Sequence, residues 1–199
     1  MSAATTTAPL IANVPKRRLP ARKLPTTFAE YLDWQPKDGY YYEWVNGKLL
    51  KIDPMIYPKQ LHIVDNLTRL FTTTNAYRKG DSLMPELRMQ TIDKRARVPD
   101  VSYWTLQQRR EHAANRRTIS QFIIEIISEN DTAYEVDFKM DEYFDVGVRM
   151  VWHVFPESKK VYVFSSPFEI RVCQDNIICG AEEIIEGFSL KAKDIFKLP

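Results

Sequence analysis

The chain has 199 residues, of which 44% are hydrophobic and 27% charged, with a net charge of +2. That length and balance suit one globular unit that buries a core without disulfides or structural zinc, so membrane and secreted disulfide-scaffold readings are set aside. No apolar run approaches the roughly 18 residues of a membrane span, and the N-terminus lacks the apolar stretch of a secretory signal. Cys173 and Cys179 stand outside any CxxC pair or Cys/His cluster, which argues against structural zinc. Two unpatterned cysteines read as small apolar side chains in a reducing compartment, so a cytoplasmic location is expected.

Charge is uneven along the chain. Residues 1–27 carry five cations and no acid, and residues 78–117 carry ten cations against five acids. Residues 118–199 reverse the balance, with eight cations against fifteen acids. The asymmetry suits a polyanionic partner, although charged runs also serve as plain solvated faces. Residues 1–25, rich in Pro, Ala and Thr, read as a disordered basic tail, and residues 26–199 as one domain.

In chain order, Phe28–Leu32 predicts a short helix capped by Thr26 or Thr27. Residues 40–45 are aromatic and β-branched, as strands prefer. Asn46-Gly47 then supplies a type I′ turn to a returning strand, Lys48–Ile52. From Lys59 to Tyr77, Ile63, Leu67, Leu70, Phe71 and Thr74 share one stripe of an amphipathic helix. Leu83–Ile92 alternates like a strand, and Val98–Trp104 predicts another, with Pro99 where a missing N–H is tolerated. Arg109–Arg116 reads as helix or loop. Phe122–Ile127 has the apolar pattern of a strand covered on both faces. A helix over Thr132–Asp145, stopped by Gly147, leads to strands at Val151–Phe155 and Lys160–Phe164. The fold class is therefore α/β, a mixed central sheet flanked by helices.

Three residues sit where a core would not place them. Glu125 lies between two isoleucines on either side, an expensive place for a carboxylate unless it is paired, protonated or metal-bound. An edge strand with one polar face would also accommodate it. Asp100 follows Pro99 at a strand start, a common junction for Asp in any fold. Lys139 lies three residues after Val136 and four before Tyr143, at the edge of an apolar helix face. It can snorkel to water or reach back over the sheet toward Glu125. Two hard carboxylates and an ammonium suit a Mg²⁺ site that polarises a phosphoryl oxygen and activates water.

Pro99-Asp100, Glu125-Ile126-Ile127-Ser128, Lys139, Tyr143, Gly147-Val148 and Trp152, in this order and spacing, resemble the Uma-type "putative restriction endonuclease" family of the PD-(D/E)XK nuclease superfamily. Tyr42-Glu43, Asn46-Gly47-Lys48 and His62 extend the resemblance, which runs from about Phe28 to Phe164. It implies a restriction-endonuclease-like core and a Mg²⁺-dependent DNA endonuclease, with Mn²⁺ as a substitute. Asp100 and Glu125 are the implied metal ligands, and Lys139 the water-orienting or charge-stabilising group. Glu43 is the implied accessory acid, and His62 a further accessory near the phosphate or a second metal. The superfamily's lysine two residues after the second acid is replaced here by Ile127, and Lys139 on the next helix takes its place. Other departures are Glu135 for the family's usual Asp, Glu129 for Pro after Ser128, and Val151 and Phe155 around Trp152. Those departures leave room for a catalytically silent nucleic-acid-binding or interaction module on the same fold. A homodimer is expected if both strands of a duplex are cut.

Overall fold

The computed structural model describes residues 24–54 and 58–199. The expected basic tail falls almost wholly on residues 1–23, outside the described residues. Helix α1 (Phe28–Asp33) starts with a capping box, in which Thr27 Oγ1 accepts from the Glu30 N–H and the Glu30 carboxylate accepts from the Thr27 N–H. Strands β1 (Tyr41–Val45) and β2 (Lys48–Ile52) form the expected hairpin. Asn46 and Gly47 adopt φ of 51° and 74°, the left-handed pair that a type I′ turn requires.

The long helix expected through Tyr77 is shorter. Helix α2 (Pro58–Phe71) ends before Thr72-Thr73-Thr74, and α3 (Asn75–Arg78) restarts with Thr74 as its cap. The three hydroxyls turn back onto the carbonyls of Arg69, Leu70 and Phe71, which draws the backbone out of helical continuation.

The single strand expected over Leu83–Ile92 is also two pieces, β3 (Ser82–Pro85) and β4 (Met89–Gln90), in different sheets. Pro85 has no N–H to extend the ladder, and Glu86 takes a φ of 50° that turns the chain away. Next come β5 (Ala96–Arg97), β6 (Val101–Trp104), α4 (Leu106–Ala113), β7 (Phe122–Ile126) and α5 (Ala133–Asp145). Strands β8 (Met150–Phe155), β9 (Lys160–Ser166), β10 (Glu169–Gln174), β11 (Ile178–Gly180) and β12 (Ser189–Lys191), with α6 (Ala192–Ile195), complete the chain.

The central sheet has six strands in the order β10-β9-β8-β7-β6-β3. Strands β7 and β8 are parallel, with α5 as their crossover, and the other pairs are antiparallel, so the sheet is mixed as expected. A second sheet, β2-β1-β5-β4, lies beside it.

All five residues of β7 are buried. Phe122, Ile124 and Ile126 pack with Ile63, Leu67 and Phe71 of α2 and with Phe188 near the C-terminus. Ile123 points to the opposite layer, where Met140 and Tyr143 of α5 lie with Val151 and Trp104. Alternation along the strand therefore sends Glu125 to the α5 side. Among the described residues, no helix is long and apolar enough to cross a membrane.

Candidate active site

The backbone brings Asp100 and Glu125 to one place because β6 and β7 are neighbours, paired at Val101 and Ile124. Asp100 sits in the short junction between β5 and β6. Its Oδ2 accepts the Ile126 N–H at 2.6 Å, which ties the carboxylate to the end of β7. Glu125 Oε1 accepts from the Tyr143 hydroxyl at 2.6 Å. Both carboxylates open onto a cleft of about 350 Å³ that Asp53, Asp131, Glu135, Lys51 and Lys139 also line.

Lys139 reaches back over the sheet. Its Nζ lies 3.4 Å from Glu43 Oε1 and 3.8 Å from Glu125 Oε1. Helix α5 sets this direction, since Thr132 caps it through the Glu135 N–H and Tyr143 anchors its inner face. Glu43 comes from the other sheet, on β1, and is 1% exposed. Its Oε1 accepts the Val98 N–H at 3.0 Å and its Oε2 pairs with Arg97 Nη1 at 2.9 Å. The structure thus gathers Asp100, Glu125, Lys139 and Glu43. His62 lies half-buried on α2. It is Gln60, two residues earlier, that α2 contributes to the cleft lining.

The electrostatics follow from crowding carboxylates in a dry place. Burial, and then the charge of Glu125, push Asp100 up to about 8, against the Ile126 N–H and Lys139, which pull it down. Burial also raises Glu125, opposed by Lys139 and the Tyr143 hydroxyl. Burial works to discharge Lys139, but Glu125, Glu43 and Asp100 outweigh it and hold the ammonium more firmly protonated than a free lysine. His153 of β8 stands directly across from Glu125. Burial, and then the charge of Lys139, lower it to about 4, so it is neutral at physiological pH.

Residues not singled out from the sequence support this set. Arg97 is 4% exposed and donates to Glu142 Oε2 through Nε at 3.0 Å and Nη2 at 2.7 Å, while Nη1 holds Glu43. Glu142 also accepts from the Thr91 hydroxyl and from Arg95. A buried chain Glu142–Arg97–Glu43–Lys139 therefore runs from α5 through β5 and β1 and back to α5. Its sequence signal was weak, because Arg97 passes as one of many cations in the basic middle. His153 carried the same signal as Glu125, a polar residue inside the apolar run 151–154.

The basic middle itself serves largely internal ends. Arg88 donates to the carbonyls of Tyr31, Leu32 and Trp34 at the end of α1. Arg109 bonds the Gly80 carbonyl and Ser82, and Arg117 the Thr91 carbonyl. With Arg95 and Arg97 on Glu142, half of those ten cations hold the fold together.

Fitness for a divalent metal can be judged from the donors. Asp100 and Glu125 offer hard oxygens from the junction before β6 and from the neighbouring β7, and their mutual repulsion is what a cation between them would relieve. Among the described residues no group of three or more His, Cys, Asp or Glu is placed to hold a metal. Two hard carboxylate donors fit Mg²⁺ or Mn²⁺, which keep part of their hydration.

Comparison with known proteins agrees with this architecture. The family model Uma2, "Putative restriction endonuclease", matches residues 28–193. Among solved structures, one described as "a putative nuclease belonging to DUF820" from Anabaena variabilis ATCC 29413 superposes with a TM-score of 0.72 at 22% identity. The match covers 86% of this chain and 98% of that one, and at this identity it speaks to the fold. No curated protein matches the chain. With the family match spanning most of its length, the chain belongs to the Uma2 "putative restriction endonuclease" family.

Proposed function

We propose that this protein is a Mg²⁺-dependent endonuclease that hydrolyses phosphodiester bonds of DNA. The observation that carries the reading is the convergence of Asp100, Glu125 and Lys139 on one cleft, with Lys139 held between Glu43 and Glu125. Asp100 and Glu125 would hold the metal, which supplies Lewis-acid polarisation of the phosphate and a more acidic bound water. Lys139, kept protonated by its three carboxylate neighbours, acts as a fixed positive charge. Of the two roles expected for it, charge stabilisation suits a firmly protonated ammonium; it would offset negative charge developing on the phosphate. Glu43 orients that ammonium, and Tyr143 fixes the rotamer of Glu125. Residues 26–199 act as one unit in this reading.

The test is a cleavage assay with Mg²⁺ and with Mn²⁺ on supercoiled, linear and single-stranded DNA and on RNA. Wild type, Glu125→Gln and Asp100→Asn are prepared identically. Metal-dependent cutting of DNA by wild type, lost by at least about a hundredfold in both variants, is expected. Equal cutting by all three proteins refutes the site assignment, and cutting of RNA alone refutes the substrate.

A further inference from the structure

The two edges of the six-stranded sheet differ in how they are protected. Strand β3 is four residues long and ends in Pro85. In the smaller sheet, edge strand β2 carries Lys48 and Lys51. Short length, proline and lysine are the usual means of keeping a sheet edge from pairing with another chain. Strand β10 has none of them. It runs six residues, Glu-Ile-Arg-Val-Cys-Gln, pairs on one side with β9 and closes the sheet on the other. The irregularity in the β9–β10 ladder is an extra residue, Ser165, on β9, so β10 itself stays regular.

Its exposed side chains are self-complementary. Ile170 is 47% and Val172 44% exposed, on one face, and Phe168 in the preceding turn is 96% exposed. Glu169 and Arg171 lie exposed on the other face. Consider an antiparallel pairing of β10 with a second β10 about a two-fold axis at Ile170. Ile170 then meets its own copy, Glu169 faces the partner's Arg171, twice over, and Val172 comes beside the end of the partner strand, next to the turn that carries Phe168. Moving the axis one pleat along, to Arg171, sets two arginines against each other. Moving it to Val172 sets Arg171 against the partner's Cys173. The Ile170 register alone of the three pairs opposite charges and aligns the apolar residues.

We propose that β10 is a homodimerisation edge, at which a second copy of this chain pairs antiparallel about Ile170 and continues the sheet across the two-fold axis. The interface is remote from the cleft, because Glu125, His153, Tyr162 and Val172 lie along one cross-strand row with β8 and β9 between the site and the edge. The inference does not rest on nuclease activity, and a change on β10 leaves Asp100 and Glu125 untouched.

Sedimentation velocity of the full chain, over roughly a hundredfold range of concentration, tests it. Wild type is expected to show a concentration-dependent monomer–dimer equilibrium. Glu169→Arg and Arg171→Glu each place like charges across the axis, so each alone weakens the dimer by roughly tenfold or more. An equimolar mixture of the two single variants restores every opposite-charge pair and is expected to dimerise again, as is the double variant. Thermal melts at a concentration where wild type is monomeric, matching those of wild type, establish that the exposed substitutions leave the monomer folded. A wild type that stays monomeric at every concentration overturns the proposal. Single variants that dimerise like wild type, or a mixture that stays monomeric, overturn it equally.

Discussion

Asp100 is the residue at which stability and the proposed function pull in opposite directions. Its carboxyl is raised from the ordinary value of 3.8 to about 8 in the folded protein. An acid with a raised folded-state pKa contributes stability that is complete below its ordinary value and is lost as pH rises toward the folded value. The metal-free protein should therefore lose this contribution between about pH 4 and pH 8. Asparagine stays neutral throughout and can still accept the Ile126 N–H. The melting temperature of Asp100→Asn minus that of wild type, measured in EDTA, should grow across this window and level off above it. His153 titrates the other way. Lowered to about 4, it contributes stability present above 6.5 and lost as pH falls through about 4. That change is common to both proteins and cancels in the difference. A difference that is flat with pH would show that Asp100 is not strained by burial and Glu125. Arg97 is the opposite kind of residue, a buried cation with both its acids in place. Arg97→Met removes the cation that joins Glu43 to Glu142 and leaves each with one remaining cationic partner, Lys139 at 3.4 Å and Arg95 at 3.1 Å, so a loss of about 3 kcal/mol is expected. In a urea titration this appears as a lower midpoint with an unchanged slope.

At the level of elements, local chemistry was readable wherever it acts within a few residues. Asn46-Gly47 announced the β1–β2 turn, and the isoleucine run announced β7 as a strand covered on both faces. What failed was continuity. The α2 stripe runs on in phase to Thr74, but periodicity does not register that three consecutive threonines can bond back to carbonyls and end the helix. Likewise the alternation from Leu83 to Ile92 is blind to the turn at Glu86, which passes the chain from one sheet to the other. Helix α5 was read well at both ends, and its cap is a direct handle on the site. Thr132→Ala removes the acceptor for the Glu135 N–H and should cost about 1 kcal/mol. That is a fall of roughly 2–4 °C in melting temperature. Because Glu135 and Val136 of that first turn line the cleft, the same variant should increase amide exchange there, while β7 keeps its protection.

For the whole molecule, the part of the site least legible in the sequence is the part that crosses between sheets: Glu43 came only with the family resemblance, and Arg97 and Glu142 were not singled out. Asp100, Glu125 and Lys139 lie within 40 residues of one another, and their order carried the family pattern. Glu43 reaches them through β1, and the Arg97–Glu142 pair through contacts 45 residues apart, which no local period encodes. The two sheets are thereby coupled through one cluster in which Arg95, Arg97 and Lys139 face the four carboxylates of Glu142, Glu43, Glu125 and Asp100, which leaves negative charge unmet at the Asp100–Glu125 end. A divalent cation binding there should bind the native state and not the unfolded chain. At a hundredfold excess over its dissociation constant, such a ligand adds about 2.7 kcal/mol. Titration with Mg²⁺ should therefore raise the melting temperature of wild type by roughly 5–10 °C at saturation. The rise should be larger at pH 8 than at pH 6, since protons on the two raised carboxyls compete with the metal. Asp100→Asn and Glu125→Gln should lose most of this response, whereas Arg97→Met should start from a lower melting temperature and still respond. An equal Mg²⁺ response in wild type and both carboxylate variants would place the ion elsewhere on the protein.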